Sequence, residues 1–531
     1  MVMLHTAMAS RGMVSAPHHL AAQAGLAVLR EGGNAIEAAV AATAALAVVY
    51  PHTCGLGGDG FWLIHEPGKA PISIDACGGA AAAASAQGYR DKGLVQMPES
   101  GPLAAATVAG AVSGWQAALE ISARWGGSLP LARLFEEAIF HGRSGFAVTG
   151  YQADCATKRL GALSAQPGFA ETFLVEGQAP QAGTTLRLPG LALLLERLAQ
   201  SGLDDFYRGA IGHHLGAEMA RLGSPVNSLD LARHRSVRRR PLSLSLAEST
   251  IYNLPPPTQG LAALMILGLF ERLGVAEADG FAHIHGIVEA TKQAFIVRNA
   301  HVTDPSFMTI HSTTYLSDAL LDRLAGAVAP KRALPWHREV VAGDTAWLGV
   351  VDGQGRAVSC IHSLSHPFGS GLALGEFGLL WHNRAASFTL DDNGQNLLTP
   401  GRKPFHTLCP ALARFRDGRV MVFGTMGGDG QPQTEAALFT RYAQFGQGLQ
   451  QAVTAPRWRL GPGRGEAASD LKMEARFDRG LLDALRAAGH EITLVDAFDH
   501  QMGHAGAIVR HDDGRLEGAA DPRGDGAVAG Y

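Results

Sequence analysis

Apolar and polar positions alternate at helical spacing over residues 18–31, and the run stops at Gly32-Gly33, which predicts a helix ended by glycine. Residues 35–49 are apolar on every side apart from Glu37. That pattern predicts a second helix, shorter than the roughly 20 residues of a membrane span and therefore one buried in a core. Runs at 61–64 and 72–75 predict strands. From about 103 to 324 the pattern is mainly helical, with Pro255-Pro256-Pro257 as its clearest interruption. Beyond 345 it changes. A strand-like run over 347–351 closes on a turn at 352–355 and restarts at 356–361, which predicts a hairpin. Turns at 417–418 and 513–514 then separate short strands, with helices near 434–444 and 479–488. Together these place the chain in the mixed α/β (α+β) class, and no linker divides it, so residues 1–531 are expected to form one domain.

Composition narrows the function classes. The 531 residues are 47% hydrophobic and 17% charged, with a net charge of −4, which gives no electrostatic case for nucleic acid or an anionic membrane. The basic cluster Arg233 to Arg240 accordingly reads as solvated surface. Five scattered cysteines, Cys54, Cys77, Cys155, Cys360 and Cys409, form no C-x-x-C pair and read as reduced thiols. Residues 1–11 lack the features of a secretory signal, so a cytoplasmic location is expected. Gly55-Leu56-Gly57-Gly58-Asp59-Gly60 matches G-x-G-x-x-G, yet a helix precedes it and a strand follows, the reverse of a dinucleotide site. A tight turn is expected there, and no cofactor. His283, His285 and Glu289 could share a helix but follow no ligand motif, so no metal is expected either.

The candidate nucleophile is Thr345, at the head of the run Ala346 to Val351. A hydroxyl at an ordinary position needs a neighbouring base, whereas a threonine that begins a chain carries its own, an α-amino group with a pKa of about 8. The chain must then be cut between Asp344 and Thr345, after the small residues 341–343.

From this point the sequence resembles a family, the γ-glutamyltranspeptidases within the N-terminal nucleophile hydrolases. The resemblance runs through residues 12–18, Gly32-Gly33-Asn34-Ala35, Pro51-His52 into 55–60, and Pro255-Pro256-Pro257. After Thr345 it continues through Phe368-Gly369-Ser370-Gly371, Gly427-Gly428, Ala455-Pro456-Arg457, Asp521-Pro522-Arg523 and Gly530-Tyr531. It implies a four-layer αββα sandwich, self-cleavage into 1–344 and 345–531, and a heterodimer of these two pieces, with further pairing left open. It also implies that Gly427 and Gly428 form the oxyanion hole; read by themselves, the glycines are equally a turn after a strand over 420–423. Ser363 stands where the family has a threonine bonded to the nucleophile. Ala346-Trp347 replace a threonine and histidine.

The implied substrate pocket departs further. Cys77 and Ser387 stand where the transpeptidases hold the α-carboxylate and α-amino groups of glutamate. Arg384, after a predicted strand over 378–381, replaces a glutamine, and His406-Thr407 replace a serine pair. One cation without a partner for an ammonium suits a small acid amide, and Arg384 is the expected carboxylate clamp; the alternative is a surface arginine or structural ion pair. The expected activity is hydrolysis of a small carboxylate-bearing amide. The resemblance is to the branch of the family that converts oxamate to oxalate and ammonia in purine breakdown. A γ-glutamyl hydrolase or transferase, a glutaryl acylase, and an inactive scaffold are the alternatives.

Overall fold

The computed structural model describes residues 5–336, 343–461 and 471–531, so that 341–342, just before the expected cut, lie outside the described residues. Two seven-stranded sheets face each other. One runs in the order Ala527–Gly530, Met13–Ala16, Asp344–Val351, Ala357–Ser365, Asp59–His65, Ile72–Ala76, Val237–Arg239. The other runs Ala7–Ala9, Leu516–Ala520, Ala505–Arg510, Val420–Thr425, Ala411–Phe415, Ser249–Asn253, Leu242–Ser245. In each, strands from beyond Thr345 lie among or between strands from the first part of the chain.

Alternation along the central strands explains the layers. Trp347 and Val351, with Phe61, Leu63 and Ile361, point between the sheets against Leu412, Val422 and Ile508. Leu348 and Val350, with Trp62, Ile64, Val358 and Cys360, point the other way, into the core built on the helices His19–Arg30, Ala35–Val49 and Ala111–Arg124. Both faces are buried, which is why these strands read as unbroken apolar runs. Helices Gly260–Arg272, Phe281–His301 and Gln431–Phe439 cover the second sheet through a separate core. This is the expected αββα sandwich. The sheets close around Trp347, because a Cβ on Gly424 would lie 2.2 Å from its ring and one on Gly506 2.5 Å away.

Ala35–Val49 is buried along its whole length, and its lone acidic residue has work there. Glu37 closes a capping box with Asn34 and accepts from Leu129 N, while Asp352 in the hairpin turn accepts from Ala35 N at 3.1 Å. The hairpin is thereby tied to the helix behind it.

Two expectations change. The stretch 103–324 is not simply helical, since Val237–Arg239, Leu242–Ser245 and Ser249–Asn253 are strands. The basic cluster holds one of them, an edge strand, and is largely exposed as expected, with Arg239 donating to the buried Asp75 at 3.2 Å. The strand over 378–381 shrinks to Leu379–Leu380, because Gly378 at φ 58° ends a preceding 3-10 turn.

Candidate active site

Thr345 is the second residue of its strand and is buried. Its pairing is irregular: Asp344 faces Ser365 and Ala346 faces His362, so that Ser363 and Leu364 together oppose Thr345. Ser365 takes φ 82° to make this possible. A bulge beside Thr345 re-aims side chains that a regular ladder would hold flat.

The bulge brings five groups together in the uncut chain. The Thr345 hydroxyl lies 3.3 Å from Ser363 Oγ, which donates to the Asp344 carbonyl at 2.7 Å. Ser363 Oγ also accepts from Ser365 N at 2.8 Å and from Arg384 Nη2 at 3.1 Å. The Ser363 proton is therefore committed to the carbonyl of Asp344, the residue before Thr345, and polarises it. Ser363 is the hub of the cluster.

Arg384 begins the turn Arg384–Ser387 and is buried, not on the surface. Burial pulls its guanidinium down to about 10, with the nearby Asp59 opposing, so the group is cationic at neutral pH. Its Nε has no partner among the described residues. Asp59 pairs directly across the sheet with Ser363 and approaches His382 Nδ1 at 3.1 Å and His406 Nε2 at 3.6 Å. His382 Nε2 lies 3.0 Å from Thr107 O and 3.2 Å from Thr107 Oγ1, which fixes the ring against the floor. His406 is held neutral, its pKa driven well down by burial and then by Arg384.

Cys77 and Ser387 are spent on local bonds. The Cys77 thiol donates to Asp75 Oδ1 at 3.1 Å, and Ser387 donates to the carbonyls of Arg384 and Phe405. Thr407 is buried and offers its carbonyl to Gln259 at 2.5 Å, which ties it to the wall of the site. The glycine-rich segment 55–60 packs beneath this floor as a tight turn: a Cβ on Gly57 would lie 2.0 Å from Leu380 O, and one on Gly58 2.4 Å from Ser363 O.

Gly427 and Gly428 both have left-handed backbone, φ 123° and 56°, which only glycine adopts without strain. A Cβ on Gly343 would lie 3.5 Å from Gly428 Cα, so the glycine pair stands beside the segment leading into Thr345. Gln259 Nε2 donates to Gly428 O at 2.9 Å as well as to Thr407 O. Its Oε1 accepts from Arg298, which also grips Asp429 at 2.7 and 3.2 Å. Gly430 N fixes Gly427 O at 2.9 Å. With their carbonyls tied back, Gly427 and Gly428 are held in one fixed backbone geometry.

Gln259, Arg298, Asp59 and His382 were not singled out from the sequence. Gln259 follows Pro255-Pro256-Pro257 by two residues and Asp429 sits inside the glycine-rich segment, which is the only local signal for either.

On the far side of the Asp344–Thr345 peptide, Asp344 Oδ1 accepts from Thr345 N at 2.9 Å and Oδ2 from Tyr151 at 3.0 Å. Burial nevertheless pushes its carboxyl up to about 7, against the lowering effect of these bonds. His283, His285 and Glu289 do share the helix Phe281–His301, but only His285 and Glu289 come together, with His490, and His283 is not part of that cluster. His283 bonds to Asp279 N and Thr440, while His285 bonds to His490.

The sequence profile of the family described as gamma-glutamyltranspeptidase matches residues 21–531. The oxamate amidohydrolase proenzyme of Klebsiella pneumoniae subsp. pneumoniae is 51% identical over 523 residues, covering 98% of this chain and 99% of that one. The glutathione hydrolase-like YwrD proenzyme of Bacillus subtilis is 37% identical, with 98% of each chain covered. Among solved structures, the cephalosporin acylase from Bacillus halodurans is similar with a TM-score of 0.91 and 31% identity, over 100% of this chain and 98% of that one. The chain therefore belongs to the gamma-glutamyltranspeptidase family and is a hydrolase acting on amide bonds.

Proposed function

We propose that the protein cuts itself between Asp344 and Thr345 and then hydrolyses a small amide bearing a carboxylate, oxamate to oxalate and ammonia. In the first step the Thr345 hydroxyl adds to the Asp344 carbonyl, already polarised by Ser363, and the peptide C–N bond breaks as the nitrogen takes the hydroxyl proton. Water then hydrolyses the ester and leaves Thr345 with a free amine. In turnover that amine accepts the Thr345 proton as the oxygen attacks the substrate carbonyl. The oxyanion meets the Gly427–Gly428 donors, ammonia leaves with a proton, and water repeats the sequence on the acyl-enzyme.

One observation carries the choice of substrate. The Arg384 guanidinium is separated from the Thr345 hydroxyl by a single side chain, Ser363, at 3.1 and 3.3 Å. A carboxylate gripped there lies next to the reacting carbonyl, as in oxamate, whereas a γ-glutamyl or glutaryl group carries its carboxylate three carbons further on. His406 and Thr407 complete the floor and wall of this pocket. The similarity to the Klebsiella oxamate amidohydrolase supports the same reading. The two pieces stay together as a heterodimer, since both sheets need strands from each. No described helix is long and apolar enough to cross a membrane, and the five cysteines are free and buried; the latter supports a cytoplasmic location.

The test is ammonia release from oxamate, malonamate, succinamate, glutamine and glutaryl amides, with mass spectrometry for fragments 1–344 and 345–531. Highest kcat/KM on oxamate is expected. Preference for glutaryl amides would instead favour an acylase, the reading suggested by the similarity to cephalosporin acylase.

A further inference from the structure

We propose that His52, Cys155 and Asp344 form a binding site for a divalent metal ion of the zinc type in the uncut chain. One candidate ligand atom from each lies within 4.8 Å of the other two, and all three residues are buried. Cys155 Sγ stands 4.0 Å from Asp344 Oδ2. Tetrahedral zinc, with sulfur at about 2.3 Å and oxygen at about 2.0 Å, needs a sulfur-to-oxygen edge of about 3.5 Å, so a side-chain adjustment of about half an ångström suffices there.

A second observation points to a ligand independently. Neither ring nitrogen of His52 has a hydrogen-bond partner among the described residues, although the residue is completely buried. Its ring is walled by Tyr50 at 4.3 Å, Tyr151 at 5.2 Å and Phe368 at 5.9 Å between centroids. An imidazole buried with both nitrogens idle is costly, and a metal on one of them removes part of that cost. Tyr151 donates to the same Asp344 oxygen that Cys155 approaches, the kind of outer hydrogen bond that orients a metal-binding carboxylate. A thiolate, a carboxylate and a neutral imidazole would balance a doubly charged ion, the thiol giving up its proton on binding. A second cluster, His285, Glu289 and His490, fits less well because its atoms already have partners: His285 bonds to His490 and Ala329 O, and Glu289 to Lys292 and Leu334 N.

The site itself does not depend on self-cleavage, but its consequence rests on that reading. Asp344 precedes the bond to be cut, and a metal on its carboxylate would hold the residue back from the rotation that the attack by Thr345 requires. Metal should therefore delay maturation.

Cobalt(II) is the probe, titrated into the full-length Thr345→Ala chain. One equivalent should give a tetrahedral spectrum with a thiolate-to-cobalt charge-transfer band, and zinc should displace it. Cys155→Ser should lose the band and bind about a hundredfold more weakly, and His52→Asn should weaken binding comparably, with thermal melts confirming that both fold. Binding without a thiolate band, binding unaltered by Cys155→Ser, or no binding by folded protein would overturn the site. In a second arm, cell-free synthesis of the parent chain with zinc should slow the appearance of the fragments and excess chelator should restore it. A metal-bound chain that cuts at the same rate would leave the site and remove its effect on maturation. A chain uncut under every condition would instead sink the self-cleavage reading.

Discussion

The loop Gly427–Gly428 and the floor around Arg384 face the same threonine and are built on opposite terms. In the loop the bracing atoms are used: Gln259 serves three partners, Arg298 bridges Gln259 and Asp429, and the glycine carbonyls are tied back. On the floor Arg384 Nε, both nitrogens of His406 and Asp59 Oδ2 have no hydrogen-bond partner among the described residues. A group that must present donors in one fixed geometry gains from a saturated surround, because nothing is left to reorganise. A group that must receive a ligand cannot be saturated by the protein. Under the proposed function, the idle atoms around Arg384 are the ones left for substrate to meet.

The largest effect should come from the residue both regions serve. Thr345→Ala should leave the chain whole and lower amidase activity by about a thousandfold or more, seen by gel and by ammonia assay. Fully active uncut protein would break the scheme at its base. Next is the saturated side: Gln259→Leu should lower kcat about a hundredfold with KM little changed, because it frees the loop without touching substrate. If KM rises instead, Gln259 belongs to the floor. On the unsaturated side, Arg384→Met should cost about tenfold to a hundredfold in kcat/KM on oxamate with self-cleavage preserved, and Arg384→Lys less. A normal kcat/KM in Arg384→Met would place the carboxylate elsewhere. The smallest expected loss is about fivefold for His406→Asn, a neutral contact removed, measured in the same assay. Equal losses at His406 and Arg384 would mean that the two share the clamp.

The sequence made the two early helices, the hairpin and the late helices legible, because their apolar periodicity is local. It hid Ser249–Asn253 and its neighbour, short strands set in a long helical stretch, and it overextended the strand at Leu379–Leu380, where a left-handed Gly378 interrupts. Thr345, Ser363 and Arg384 were visible through family position, and the structure gathers them around one hydroxyl. Gln259 and Asp59 were not. Each acts through partners far away in the chain, Gly428 and Thr407 for one, Ser363, His382 and His406 for the other, and no local pattern encodes such contacts.

If the chain is cut as proposed, the interleaved sheets have a further consequence. Before the cut, refolding is an encounter within one molecule. Afterwards the strand Asp344–Val351 loses its first residue to the other piece, and the remainder lies between Met13–Ala16 from that piece and Ala357–Ser365 from its own. Neither fragment contains either seven-stranded sheet whole, so recovery from denaturation would become a second-order reaction that slows on dilution. The mature protein would then persist by unfolding slowly rather than by returning to its fold, and its working lifetime is set by a rate.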